Sequence, residues 1–350
     1  MNNYSCIIPI DLHVHGRTGL ILESVIPYTY NNFDSAVMMG NLAEPDGPTD
    51  SLEKVITYRN EIMSHVPKNN PFKPIMTVML TRSLTPEKLH DAATVARVLK
   101  FIPGATSTNS SGGISFFELK KSYYPVLKMA EKIGMIFSVH AELIKDSFGR
   151  DIPELEREAA AIPFMEDIVH KFPRLKIVFE HVSSRAACDF VKACPDNVAA
   201  TITLHHLILS KEDVFNTNGE VDNIFNYCKP PAKKVSDREA ILKVAFSGHK
   251  KFFFGSDSAP HPISAKLNNG AAGVFTAPIL VEKLVEIFAK ANKLDKLEKF
   301  MSINGRKFYG LPIPDQRIEF TKIEHEHANE VNGIRIFNCD FRKLQWRRIV

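Results

Sequence analysis

Short apolar or β-branched runs recur along the chain at residues 7–12, 35–39, 74–80, 95–101, 135–140, 176–181, 198–203 and 251–257. Each is continuous rather than alternating, as expected of strands buried on both faces in a parallel sheet covered by helices. The segments between them repeat with helical period. Leu52, Val55, Ile56, Ile62, Met63 and Val66 make one apolar stripe, preceded by Asp50 and Glu53 at capping-box spacing. Residues 116–133 carry Leu119, Tyr123, Leu127 and Ala130 along one face. Pro153 suits the first turn of a helix running towards His170, and Ser183 or Ser184 can cap a helix reaching about Ala193. A last helix lies within 277–291. Eight strands separated by helices predict an α/β protein, a (β/α)8 TIM barrel.

Two stretches break the rhythm. Residues 205–234 are longer and richer in turns than a strand-to-helix loop requires, which points to a functional connection. Residues 312–350 lie beyond the eighth unit and read as short strands. The expected organisation is therefore a barrel over 1–311 and a C-terminal extension over 312–350 packed on it. No repeat, low-complexity tract or linker interrupts this pattern.

Composition narrows the function classes. With 44% hydrophobic and 24% charged residues the chain can bury a large core. A net charge of +4, with the basic residues interspersed among acids, gives no nucleic-acid footprint. The one basic cluster, residues 342–348, reads as a solvated tail or subunit contact. No apolar run approaches the roughly 20 residues of a membrane span, and the first residues lack the pattern of a signal peptide. Five scattered cysteines without a CxxC pair fit reduced thiols, so the expected compartment is the cytoplasm.

The candidate chemistry lies where the strands end. The first run leads into His13 and His15, the fourth contains Lys100, the fifth ends at His140, the sixth at His181 and the eighth at Asp257. Singly, each has an ordinary structural explanation. A His-x-His pair shares one side of a strand by its period of two, a lone strand-end His is usually a satisfied polar group, and a strand-end Asp can cap a turn. Jointly they put ligand-type side chains at the same end of five strands, where barrel active sites are built.

Those residues, with MMGNLAEP, KFIPGATSTNSSGG, VHAE, VFEHVSS, ATITLHHL, FGSDSAPH and SINGRKFYGLP, resemble the amidohydrolase superfamily and, within it, class II dihydroorotase. The seven motifs run in the family's order from about residue 9 to 312. The resemblance implies two Zn2+ ions: His13, His15 and Asp257 would hold one, His140 and His181 the other, and Lys100 would bridge both as a carbamate. A hydroxide between the metals would be the nucleophile, with Asp257 as general base and acid, in the reversible hydrolysis of (S)-dihydroorotate to N-carbamoyl-L-aspartate, a step of pyrimidine biosynthesis. A homodimer is also implied by the resemblance alone.

Arg17, two residues beyond His15, offers a planar fork for the substrate carboxylate. The family uses Asn41 and His261 beside that arginine, and it hydrogen-bonds the pyrimidine ring through backbone matching Lys229 and Ala272. The small, hydroxylated, glycine-rich residues 105–113 suit a lid, in which Ser107 and Thr108 would donate to substrate. One departure is Thr18, where the family often has an acid. His205 and His206 read as loop structure rather than ligands, and His325 and His327 as part of a solvated extension. Two rival readings remain open: another cyclic-amide hydrolase such as a hydantoinase or allantoinase, and a non-catalytic scaffold that resembles the family.

Overall fold

Eight parallel strands follow one another around a single sheet in chain order, in a computed structural model that describes residues 2–104, 106–107, 110, 112–337 and 343–349. Strand β1 (Asn3–Ile7) stands outside this sheet. The barrel strands are β2 (Asp11–Val14), β3 (Ser35–Met38), β4 (Lys73–Met79), β5 (Ala96–Phe101), β6 (Ile136–Val139), β7 (Lys176–Phe179), β8 (Val198–Ile202) and β9 (Phe252–Phe254). The seam between β2 and β9 is closed by a parallel bridge from Val14 to Ser258 and by the Asp257 amide donating to the His13 carbonyl at 2.8 Å. Buried Asp11 staples the same seam, accepting from the Ser256 and His13 amides at 2.8 and 3.1 Å.

The expected first strand needs correction. Residues 7–12 straddle two strands, and the break falls at Ile8-Pro9-Ile10. Pro9 has no N–H to give a ladder, so the chain leaves one sheet there and enters another. Strand β1 pairs antiparallel with β10 (Arg317–Thr321), which joins the two ends of the chain. Arg347–Ile349 adds a third strand to this outer sheet. Further on, Ile334 bridges Pro262 and Ile336 bridges Phe275, so the extension also reaches the loop that follows β9.

The helices form where the stripes predict, with local differences. Leu52–Ser64 is capped by Ser51, whose hydroxyl accepts from the Lys54 amide, rather than by the expected Asp50. Asp50 instead accepts from the Thr81 and Ser83 hydroxyls. The segment after β5 is helical throughout, but Leu119–Tyr123 widens to a π-turn just before Pro125, which cannot donate to the preceding turn. Pro153 precedes a short 3-10 turn, Glu154–Glu156, that leads into Arg157–Lys171. Ser184 caps Arg185–Ala193, and Leu280–Lys290 falls within the last expected helix, with a shorter helix, Ile263–Asn269, between it and β9.

Two cores result. The larger lies between sheet and helices; the smaller fills the barrel and includes Leu12, Val37, Val98, Ile136, Val178, Ala199 and Phe253, one from each of seven strands, with Tyr309 against them. Side chains two residues further along a strand point into the same lumen one layer higher. That rule gives Met39, Lys100, Ser138, Glu180, Thr201 and Gly255 for the next layer, and Asn41, His140, Thr203 and Asp257 above it. Strand β2 departs from it: with a register shift between Asp11 and Val14, Val14 joins the outer core and His13 meets Glu180 instead. The lumen thus turns from apolar to polar towards the C-terminal ends of the strands. No helix among the described residues is long and apolar enough to cross a membrane.

Candidate active site

The polar layers hold a connected group of ligand-type side chains. His15 Nε2 lies 3.1 Å from Asp257 Oδ1, and His13 Nε2 lies 3.4 Å from the same oxygen. The rings of His13 and His181 have centroids 5.1 Å apart, and His181 Nε2 is 3.1 Å from His140 Nδ1. All five are buried, as is Lys100. Two of them depend on unusual backbone. His181 and Asp257 have φ of 39° and 43°, a left-handed conformation disfavoured for side-chain-bearing residues. Strand alternation alone would send His181 away from the lumen that its neighbour Glu180 enters; the left-handed turn brings it back.

Electrostatics keep His15, His181 and Asp257 in ligand form. Burial, first of all, lowers the His15 imidazole to about 3 and His181 well below its ordinary value, so both are neutral donors. Burial acting alone would raise Asp257, but the His15 hydrogen bond and the nearby histidines hold it well below the usual carboxylate range. Lys100 is lowered by burial against the smaller opposing pull of Glu180 and Asp257. Its Nζ has no hydrogen-bond partner in the protein. An unpaired ammonium is among the costliest groups to bury, so this atom is arranged for something other than a protein partner.

Glu180 belongs to the site and was not singled out from the sequence. Its carboxylate meets His13 Nδ1 at 2.8 Å and accepts from the Ser138 and Thr201 hydroxyls, each at 2.5 Å. The signal was available: Glu180 has the same parity as lumen-facing Val178. A carboxylate on one ring nitrogen fixes the tautomer and leaves the other nitrogen free to bind. Glu142 does the equivalent for His140, at 2.7 Å from Nε2.

The other expected contact residues flank this group. Arg17, with φ of 60°, donates from Nε to the Pro260 carbonyl at 3.3 Å and from Nη2 to His261 Nε2 at 3.0 Å. Its buried Nη1 has no partner in the protein. The fork is therefore partly committed to the loop that follows β9, and Nη1 is the direction left open. Burial, with help from Arg17, lowers His261 to about 2, which fits an acceptor at Nε2. His261 also hydrogen-bonds the Ala272 backbone. Asn41 is buried in the upper polar layer, and Lys229 is half-buried. Ser107 is half-buried, its amide donating to the Ser110 hydroxyl and its carbonyl accepting from it. Thr108 lies outside the described residues. Thr18 recruits its acid from elsewhere, donating to Asp46 Oδ2 at 2.8 Å.

His205 and His206 differ from their expected place in a loop. Both are buried in a short helix, Leu204–Ile208, capped by Thr203. His325 and His327 do lie in the extension, at Glu282 and at the Ala328 carbonyl.

No family model matches the chain. Curated dihydroorotases do, at 36–39% identity. That of Aromatoleum aromaticum is 36% identical and spans 94% of this chain and 93% of its own. Among solved structures, dihydroorotase from Saccharomyces cerevisiae in complex with 5-fluoroorotic acid superposes with a TM-score of 0.90 at 30% identity, covering 100% of this chain and 99% of that one. An L-hydantoinase from Arthrobacter aurescens has a TM-score of 0.79 at 13% identity, covering 98% and 82%. The last likeness shows the fold alone.

Proposed function

The chain belongs to the dihydroorotase family, and on that premise we propose how its site performs the reaction. The enzyme hydrolyses (S)-dihydroorotate to N-carbamoyl-L-aspartate and, in the opposite direction, closes the ring with loss of water. We assign it to class II on the seven sequence motifs, and we take it to act as a cytoplasmic homodimer without nucleic-acid or membrane partners.

His13, His15 and Asp257 would hold one Zn2+, His140 and His181 a second, and carboxylated Lys100 both. The donor set fits: neutral imidazoles and a carboxylate are ordinary zinc ligands, and His13, His15 and Asp257 already bring one ligand atom each within 4.8 Å of the others. Lys100 fits as well. Burial lowers its pKa, so more of it is the free amine that adds to CO2, forming an N–C bond and releasing a proton. The resulting carbamate is an anion with two oxygens where a bare ammonium would repel cations. Bound metal supplies Lewis acidity at the ring amide carbonyl and lowers the pKa of coordinated water.

The remaining work falls to the chain. Asp257 stays anionic, so it can take a proton from the attacking water and pass it to the leaving ring nitrogen. Arg17, aimed by Pro260 and His261, binds the remote carboxylate through its open Nη1, beside Asn41. Backbone at Lys229 and Ala272 positions the pyrimidine ring, and Ser107 and Thr108 exclude water as their loop closes over it.

The observation that carries this reading is the buried, unpartnered Lys100 among four histidines and an aspartate at one rim of the barrel. Turnover of dihydroorotate, hydantoin and allantoin by the zinc- and bicarbonate-loaded enzyme tests it. Dihydroorotate should be strongly preferred. A preference for hydantoin or allantoin would move the substrate assignment to those rings, and no turnover of any would favour the scaffold reading.

A further inference from the structure

The connection after β8 carries a second group of metal-ligand side chains that the reaction does not use. His205 and His206 lie in the helix Leu204–Ile208, and Cys228 comes back against them from later in the same connection. One ligand atom from each lies within 4.8 Å of the other two, and all three residues are buried. Cys228 Sγ is 3.9 Å from His206 Nε2, and the two imidazole centroids are 4.6 Å apart.

His206 has a structural reason to be there. Thr203 Oγ1 is 2.8 Å from its Nδ1 and the Pro230 carbonyl 3.0 Å from its Nε2. His205 has none: it is fully buried, yet neither ring nitrogen has a hydrogen-bond partner. Leaving a buried polar group unsatisfied costs roughly 1–3 kcal/mol. A smaller apolar side chain would fill a helix position without that penalty. Burial lowers His205 to about 4, so the ring is neutral and presents an open lone pair.

We propose that His205, His206 and Cys228 form an auxiliary binding site for a thiophilic transition-metal cation such as Zn2+ or Cu+, separate from the nitrogen and oxygen donors at the barrel rim. Two imidazoles and a thiolate are a soft to borderline donor set that selects such ions over Mg2+ or Ca2+. Metal–nitrogen and metal–sulfur bonds of ordinary length put ligand atoms about 3.5 Å apart in a tetrahedral site, so Cys228 Sγ and His206 Nε2, 3.9 Å apart, need to close by only about 0.4 Å. On loading, the Cys228 thiol proton leaves to solvent as the sulfur–metal bond forms. His206 shifts its ring proton to Nδ1, where it donates to Thr203 Oγ1, and Nε2 exchanges the Pro230 carbonyl for the metal. Burial pushes the Cys228 thiol above its ordinary range, so the cation competes with that proton and binds more tightly as pH rises.

Occupancy also acts on the segment beside it. Cys228 precedes Lys229, and the Pro230 carbonyl loses both its donors, His206 Nε2 and the Cys228 thiol, which otherwise donates to it at 3.3 Å. Drawing these residues towards the metal weakens substrate binding and raises KM for dihydroorotate. This consequence rests on the ring contact assigned to Lys229; the binding itself does not.

Titrating enzyme that holds two zinc equivalents per chain, the number its catalytic centre takes, with Co2+ tests the binding. A thiolate ligand gives a near-ultraviolet sulfur-to-cobalt charge-transfer band that nitrogen and oxygen ligands cannot give. The parent should develop this band, Cys228→Ser and Cys228→Ala should lose it, and His205→Gln should weaken Co2+ affinity by about tenfold or more. Circular dichroism checks that each variant is folded. No band in the parent overturns the site. A band that survives in either folded Cys228 variant belongs to another cysteine and also overturns it, as does unchanged affinity in His205→Gln.

Discussion

The two ends of the barrel both bury cationic side chains, and they treat them in opposite ways. At the N-terminal end Arg306 is 2% exposed and commits both terminal nitrogens, Nη2 to Asp34 at 2.6 Å and to the carbonyls of Ile8 and Pro9, and Nη1 to that of Pro312, with only Nε left unpaired. Nearby, half-buried Lys176 donates to the Phe308 carbonyl at 2.7 Å, and Arg97, which is exposed, to that of Tyr309. At the C-terminal end Lys100 is 1% exposed with no partner for its Nζ, Arg17 keeps Nη1 open, and Glu142 keeps Oε1 open. Buried charge tied to carbonyls and a carboxylate holds the closed barrel together. Buried charge left unsatisfied destabilises the free protein, and it persists where a ligand completes it. The same contrast divides barrels in general into a stability face and a catalytic face.

Four substitutions sharpen the contrast, the first two as a pair. Lys100→Ala should cost at least about 10³-fold in kcat while leaving the thermal midpoint of metal-free protein unchanged or raised, because it removes an unpaired buried amine. Short carboxylic acids should restore part of the activity by standing in for the carbamate. Arg306→Met should do the reverse. It should lower unfolding free energy by about 3 kcal/mol, read by denaturant titration, with turnover per folded molecule unchanged. If Lys100→Ala proves the more destabilising of the two, the division between the ends fails.

Glu180→Gln tests a residue that touches the centre without being a proposed ligand. An amide orients His13 more weakly than a carboxylate, so metal affinity should fall by about 10–100-fold. Equilibrium dialysis against zinc measures this, and excess zinc should recover most of the turnover. Arg17→Lys is expected to have the smallest effect, raising KM for dihydroorotate by about tenfold with little change in kcat. An unchanged KM would place the substrate carboxylate elsewhere.

Much of this arrangement was legible in the sequence, because a parallel barrel converts strand parity directly into position. Counting in twos from Val98, Ile136 and Phe253 leads to Lys100, His140 and Asp257. The same count from Val178 leads to Glu180, which went unnoticed because His181 beside it was the more familiar ligand type. What parity cannot give is the left-handed backbone at His181 and Asp257, or the register shift between Asp11 and Val14 that leaves Val14 in the outer core and His13 beside the lumen. Nor does local pattern reveal contacts between distant segments. The pairing of Asn3–Ile7 with Arg317–Thr321 split the expected first strand, and Cys228 reaches His206 only through a folded connection. The Arg17 fork was legible as a carboxylate binder, but its commitment to Pro260 and His261 was not.

We propose that the unsatisfied groups at the C-terminal rim are one two-metal centre bridged by a modified Lys100. Anomalous scattering from crystals grown with zinc and bicarbonate, collected on both sides of the zinc edge, addresses it most directly. The account predicts two zinc peaks, one among His13, His15 and Asp257 and one between His140 and His181, with carboxylate density extending from Lys100 Nζ to both. No zinc at this rim, or a Lys100 that ends at its amine away from bound metal, would contradict it.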